Sequence, residues 1–325
     1  MTQDPRDAEF ESRALAIAQD LYGKEPRLQP YFSMVNYCAA LSFDDGSPDR
    51  VIKLTRHNAG DIELERRLYP LLRRQGLPVP EIEFTHLDCP VAEEPFILMP
   101  KFSDLTLAEL RSRDQAAALE ACRRAGRFIG ELPEKFGEAF EGLRGAGDLA
   151  GPLAEIQGET DKALDLGPAH RHSAALAREI DAYLDTLALP LQRMPHKRLL
   201  THGQPHTKNV LADEGGGICL VDFGTICLNS PLRDLCILLN SHDGWSQGKG
   251  DPAQRAAIVE GYGGLGEDDV AELHYWEFVY WAKDLGLYSA RAARPQATQF
   301  DREQLAFVEG RVRATMAGKG IVHSL

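Results

Sequence analysis

An α+β fold of two lobes, a small β-rich N-lobe followed by a larger helical C-lobe, is predicted by three observations. Strand-like segments separated by turns crowd the first hundred residues. After Lys101 long periodic segments of helical character take over. That second half is interrupted by short apolar stretches at 210–212 and 218–221, which frame a hairpin. A chain of 325 residues is long enough for two lobes with substantial cores. The boundary is expected near Met99-Pro100-Lys101, which gives an N-lobe of residues 1–100 and a C-lobe of residues 101–325.

The elements follow in order. Residues 6–22 carry Phe10, Leu15, Ile17 and Leu21 among charges, the pattern of an amphipathic helix. Tyr37 to Phe43 reads as a strand, Asp44-Asp45-Gly46 as a turn and Arg50 to Leu54 as the returning strand. Asp61 to Arg74 is charged and periodic, hence helical, and it stops at Gly76 because Leu77-Pro78-Val79-Pro80 cannot continue a helix. Ile82 to Leu87 and Pro95 to Met99 complete the strands of the first lobe. Helices are expected over 106–132, 170–188, 231–240, 252–262, 267–286 and 301–316. The glycine-containing tract 136–168 is expected to be loop or insertion. No internal repeat or low-complexity domain is present.

Lys and Arg number 36 against 49 Asp and Glu, a net charge of −13. Nucleic-acid binding is disfavoured, since phosphate contacts require clustered cations. A cationic substrate would suit this charge, although most acidic proteins are simply soluble. The six cysteines (Cys38, Cys89, Cys122, Cys219, Cys227, Cys236) form no CxxC pair and no zinc spacing, and scattered thiols of this kind point to a reducing, cytoplasmic setting. Met1-Thr2-Gln3-Asp4-Pro5 lacks the basic start and apolar stretch of a signal peptide, and no apolar run is long enough to span a bilayer, so no membrane partner is expected.

The chemistry concentrates in His202-Gly203-Gln204-Pro205-His206-Thr207-Lys208-Asn209 and, one hairpin later, Val221-Asp222-Phe223-Gly224. Phosphoryl transfer needs a divalent ion held by hard oxygens from neighbouring segments. Asn209 offers an amide oxygen at the end of one loop and Asp222 a carboxylate at the start of the next. The stretches Val210-Leu211 and Ile218-Cys219-Leu220-Val221, joined through Asp213-Glu214-Gly215-Gly216-Gly217, would fix the two ligands rigidly. Alone, Asp222-Phe223-Gly224 is no more than a strand-to-turn exit, and His202 and His206 can simply pack. The upstream loop at hairpin distance is what gives the tripeptide its meaning.

These segments resemble the aminoglycoside phosphotransferase / choline kinase-like family, whose usual loop is His-Gly-Asp-x-His-x-x-Asn followed by a strand and Ile-Asp-Phe/Trp. The likeness continues into Ser230-Pro231-Leu232-Arg233-Asp234-Leu235, similar to the family's Asp-Pro-x-x-Asp-Leu, and spans about residues 30–240. The resemblance implies a two-lobed protein-kinase-like fold, ATP or GTP with Mg2+ as cofactors, and a small-molecule hydroxyl as acceptor. It implies that Asp234 braces the catalytic loop. Val51-Ile52-Lys53-Leu54 looks like the strand of the phosphate-binding lysine. Glu65 falls where the family places that lysine's carboxylate partner, with Glu63 as its competitor. Ser33-Met34-Val35-Asn36-Tyr37 stands in place of a glycine-rich phosphate loop, so backbone amides and Ser33 can cradle phosphate, or the segment is only a turn entering a strand. Phe96-Ile97-Leu98-Met99-Pro100-Lys101 looks like the last N-lobe strand and hinge. There Pro100 has no N–H, but a base can still pair with the Pro100 carbonyl and the Phe102 amide.

One position departs from the pattern. The family carries a carboxylate where Gln204 stands, and a glutamine amide can orient a hydroxyl but cannot usefully take its proton. Three readings stay open. The chain is a slow or rewired phosphotransferase in which Gln204 orients the acceptor and His206 or the substrate handles the proton. It is a catalytically inactive pseudokinase that binds nucleotide or metabolite and serves a protein partner. Or the glutamine was introduced to trap a bound state, for which asparagine would be the more natural choice. The segment His274, Tyr275, Trp276, Phe278, Tyr280, Trp281 and Asp284 is either helix core or the lining of an acceptor pocket.

Overall fold

The structure is a computed structural model that describes residues 7–31, 36–56, 59–92, 94–145, 174–193, 199–244 and 251–322. In the N-lobe, α1 (Asp7–Tyr22) turns Phe10, Ala14, Ile17 and Ala18 onto a sheet. The sheet holds β1 (Arg27–Tyr31), β2 (Tyr37–Ser42), β3 (Arg50–Leu54), β4 (Phe84–Thr85) and β5 (Phe96–Pro100), in the order β1-β2-β3-β5-β4 with antiparallel neighbours. The register sets Tyr31 opposite Cys38, Cys38 opposite Lys53, and Lys53 opposite Ile97. Residues paired in this way share a face. Ile97 and Met99 on that face join the main core, whereas Ile52, Phe96 and Leu98 on the other pack with α1. Lys53 therefore projects between the lobes. Helix α2 (Ala59–Arg74) buries Ile62, Glu65, Leu68, Tyr69 and Leu72, and Gly76 ends it in the left-handed region at φ 74°.

The C-lobe holds α3 (Leu107–Leu110), α4 (Gln115–Gly145), α5 (Ala174–Arg193), β6 (Leu199–Thr201), β7 (Val210–Ala212), β8 (Ile218–Leu220), β9 (Cys227–Asn229), α6 (Pro231–Gly244), α7 (Pro252–Tyr262), α8 (Glu267–Ala292) and α9 (Gln299–Met316). Helix α4 lies tightly against α7. A Cβ at Gly126 would overlap the Ile258 carbonyl oxygen, and one at Gly261 would overlap that of Arg123. Within α8, Trp276, Phe278 and Trp281 are buried, so these three rings of the aromatic segment are core. The fully buried Glu277 beside them accepts from the Ile321 amide at 2.7 Å, the Val322 amide at 3.2 Å and the Arg311 guanidinium at 3.3 Å.

Several sequence expectations need correction. Ile82 to Leu87 contributes only two strand residues, because the Thr85 hydroxyl accepts from the Leu87 amide and diverts the chain into a single 3-10 turn. The helix expected over 106–132 is broken after Leu110, where the Asp114 carboxylate caps a new start by accepting from the Ala117 amide at 3.0 Å. That second helix runs on to Gly145, so the first part of the tract read as loop is helical, and 146–168 lies outside the described residues. Strand β1 was not foreseen: it contains Pro30, which an edge strand tolerates. The pairing of β6 with β9 was not foreseen either, since three-residue strands leave no periodicity to read.

Candidate active site

Topology brings the two motifs together. The loop 202–209 runs from β6 to β7, and the turn at Asp222 runs from β8 to β9. Because β6 pairs with β9 and β7 with β8, both connections emerge at the same end. Two bonds stitch them: the Val221 amide donates to the Asn209 carbonyl at 3.0 Å, and the Thr225 hydroxyl to the His202 carbonyl at 3.4 Å. Gly203, at φ 86°, is the point of closest approach, where any Cβ would overlap the Thr225 carbonyl oxygen.

Buried polar contacts hold the loop. The Asp234 carboxylate, at the start of α6, accepts from the His202 amide at 2.7 Å and the Gly203 amide at 3.1 Å. Burial raises its pKa to about 6, against the opposing pull of Arg233 and these two amides. Arg233 donates to the Gly203 carbonyl at 3.0 Å, so the peptides on both sides of the glycine are fixed. His202 is fully buried, and its Nε2 lies 3.1 Å from the Val221 carbonyl oxygen. An oxygen can only accept, so Nε2 carries the proton and Nδ1 receives the Gln204 amide at 3.4 Å. Burial pushes this imidazole down to about 4 and keeps it neutral.

Lys53 stands at the centre of the cleft. Its Nζ is 2.8 and 2.9 Å from the two oxygens of Glu65 and 3.0 Å from Asp222 Oδ1. Burial works against the ammonium, but the charges of Glu65 and then Asp222 outweigh it, and the lysine pKa is raised. At the half-exposed Asp222 partial desolvation works to raise the carboxyl, but Lys53 outweighs it and holds the group below the usual range. Glu63, the competitor for the Lys53 partner, instead pairs with Arg66 and His86. Asp222 is the one non-glycine residue with positive φ among those described, at φ 68° and ψ 62°. Such a conformation costs on the order of 1–2 kcal/mol. It is stabilised on both sides: the Asp222 amide donates to the Tyr69 hydroxyl at 3.3 Å, and the Phe223 amide to Glu65 Oε1 at 2.9 Å. Asn209 donates through Nδ2 to the Gln204 carbonyl at 3.1 Å, which leaves its Oδ1 as an acceptor.

Lys53, Asn209 and Asp222 line one cavity of about 430 Å³, which also takes in Tyr31, Asp104 and Lys208. Pro100 and Phe102 line an adjoining cavity of about 290 Å³ that shares Val51, Met99, Leu211 and Val221 with the first. Gln204 is exposed and His206 partly buried, and neither lines these two cavities. Burial lowers the pKa of His206. Ser33 lies outside the described residues. Tyr69 and Arg233 were not singled out from the sequence. Tyr69 stands four residues after Glu65 on the same helix face, a signal that was available.

A family model described as the phosphotransferase enzyme family matches residues 41–276. The chain belongs to the phosphotransferase enzyme family. A search of curated proteins returns no significant match. Among solved structures, this phosphotransferase-family chain is similar to a spectinomycin phosphotransferase, APH(9)-Ia, in complex with ADP and spectinomycin. Their identity is 15% over 97% of this chain and 98% of that chain, with a TM-score of 0.65. A microcompartment-associated aminopropanol kinase is similar at 15% identity over 95% of this chain and 98% of that chain, with a TM-score of 0.64. So is APH(2")-IIia in its GDP and kanamycin complex, at 16% identity over 94% and 99% of the two chains and a TM-score of 0.63. At these identities the likeness establishes the kinase-like fold shared by the phosphotransferases. Among the described residues no helix is long and apolar enough to cross a membrane.

Proposed function

We propose that this chain transfers the terminal phosphoryl group of ATP or GTP to a hydroxyl of a small molecule. The observation that carries the reading is Lys53 Nζ held within 3.0 Å of both Glu65 and Asp222, in one cavity with Asn209. In this reading residues 1–100 cover the nucleotide, and residues 101–325 carry the catalytic loop and the acceptor cleft. Lys53 binds phosphate oxygens as a point charge, and Glu65 keeps its stem in place. The hinge at Pro100 and Phe102 takes the base, and backbone amides near Ser33 add to the phosphate cradle.

The donor set suits a hard cation. Asp222 offers a carboxylate and Asn209 an amide oxygen, while no group of three His, Cys, Asp or Glu that could chelate a metal unaided occurs among the described residues. Such a pair fits Mg2+, which takes its other ligands from phosphate and water. When bound, the ion would neutralise charge on the transferring phosphates. The residues of the chain do the rest. The acceptor oxygen bonds to the γ-phosphorus as the bond to the bridging oxygen breaks and the nucleoside diphosphate leaves. Gln204 orients the acceptor hydroxyl by hydrogen bonding. His206, kept neutral at pH 7 by burial, is our candidate to receive its proton.

Gln204 also supports a second reading, a nucleotide-binding pseudokinase that serves a protein partner, because a missing base typically costs about 10²–10⁴ in rate. A panel of hydroxylated acceptors assayed for nucleoside diphosphate release, with product mass measured, separates the two. Amino alcohols come first in the panel. The net charge of −13 favours cations, and similar structures are named for spectinomycin, kanamycin and aminopropanol. Phosphorylated product supports the enzyme. If wild type is inert and Gln204→Asp gains activity, the pseudokinase reading holds. Absence of any thermal shift with ATP or GTP and Mg2+ would remove both readings.

A further inference from the structure

Lys208 sits in the loop that carries Gln204, one residue before Asn209. It lines the larger cavity together with Lys53, Asn209 and Asp222. Its backbone is held on both sides. The Thr207 amide donates to Ser241 Oγ at 3.1 Å, and the Asn209 amide closes a tight turn onto the His206 carbonyl at 2.8 Å. Thr207 and Asn209 are buried, whereas Lys208 is exposed, so the turn sends the lysine side chain outward to the cavity.

The charges around it are placed as follows. Burial, and to a smaller degree the Lys208 ammonium, lower the His206 imidazole. Burial lowers the lysine itself, against the charge of Glu109, which also lines the cavity. Glu109 accepts from the Thr106 amide and hydroxyl, both at 2.9 Å. Gln204 adds no negative charge to the loop. Lys208 is thus a cation of the C-lobe wall within electrostatic reach of His206, while Lys53 enters the same cavity from the N-lobe sheet. In a nucleotide whose phosphates lie in this cavity, the one to be transferred must face the loop that presents the acceptor. Lys208 belongs to that loop, and Lys53 does not.

We propose that Lys208 binds the terminal phosphate of the nucleoside triphosphate from the C-lobe wall, across from Lys53, and so distinguishes triphosphate from diphosphate. The proposal rests on the nucleotide-binding reading above. The same cation would counter the charge that a loose transition state spreads over the equatorial oxygens of the transferring phosphoryl group. A glutamine at 204 and a lysine at 208 then act in one direction: the loop does less for the acceptor's proton and more for the phosphate. Isothermal titration with ADP and the non-hydrolysable AMP-PNP, and with GDP and GMP-PNP, in the presence of Mg2+ tests it on wild type and Lys208→Met. The expected result is that Lys208→Met weakens the triphosphate analogue about tenfold, the loss of one charge-assisted hydrogen bond at an exposed site. Its affinity for the diphosphate stays that of wild type, which also shows that the variant is folded. An unchanged triphosphate affinity in Lys208→Met, or an equal loss for the diphosphate, overturns the role of Lys208 while leaving nucleotide binding by wild type intact. Failure of wild type to bind any of these nucleotides overturns it together with the reading beneath it.

Discussion

Lys53 has three oxygen atoms within about 3 Å, and Asp222 holds a left-handed backbone that only the surrounding contacts make tenable. Replacing the lysine would leave Glu65 buried without its partner. Lys53→Met is therefore expected to abolish nucleotide binding in calorimetry, and to cost about 3–5 kcal/mol of stability by urea unfolding. Gly203→Ala must fail for a different reason. It combines an unfavourable φ with a collision against the Thr225 carbonyl, and a loss of at least ~2 kcal/mol should appear in the same assay. Arg233 acts through the loop. Arg233→Met is expected to lower kcat while the KM for nucleotide stays unchanged, with partial rescue by Arg233→Lys, because the Gly203 carbonyl precedes Gln204 in the same peptide. Residue by residue, Lys53, Asn209 and Asp222 were legible because each sits at fixed spacing from a strand or turn. Arg233 was not, since arginine is ordinary on a helix and its partner lies 30 residues away, and the one signal for Tyr69, its place four residues after Glu65, does not name a partner 153 residues away.

Helices and strands carry the site by being held at fixed separations. The contact of α4 with α7 depends on hydrogen atoms where other residues carry methyl groups, so Gly126→Ala should force these helices apart. Thermal melting is expected to show a loss of about 1–3 kcal/mol. A neutral result would mean that the helices slide at little cost. The helical elements were largely visible in the chain because periodicity accumulates over many residues, as in α1, α7 and α9. The elements that were misread are short or governed by one side chain. Thr85 turns an apolar run into a 3-10 corner, Asp114 restarts a helix, and β6 and β9 exist only because each finds the other. A three-residue strand is a tertiary contact before it is a propensity.

Across the whole molecule, titration couples the catalytic loop to stability. His202 titrates near 4 when folded against its ordinary 6.5, so between these values the unfolded chain binds more protons. Its contribution is complete above about pH 6.5 and drains away as pH falls toward 4, up to ~3 kcal/mol. Asp234 runs the other way. With its pKa raised to about 6, its contribution is present in acid and is lost as pH rises from 3.8 through 6. Comparing wild type with His202→Asn by urea unfolding at pH 7 and pH 5 isolates the histidine. The advantage of wild type should shrink by ~2 kcal/mol at the lower pH, and a constant gap would show that His202 is not held neutral. The partition into a strand-rich and a helical lobe was readable from texture alone, whereas the bonds that Tyr69 and Glu65 receive from the Asp222 and Phe223 amides across the lobes were not, because they join residues 153 and 158 apart. One further feature bears on how the chain is made. Glu277 is satisfied by amides 44 and 45 residues downstream. During synthesis this carboxylate lacks those donors until Ile321 and Val322 have left the ribosome, so α8 is locked in place only after they emerge.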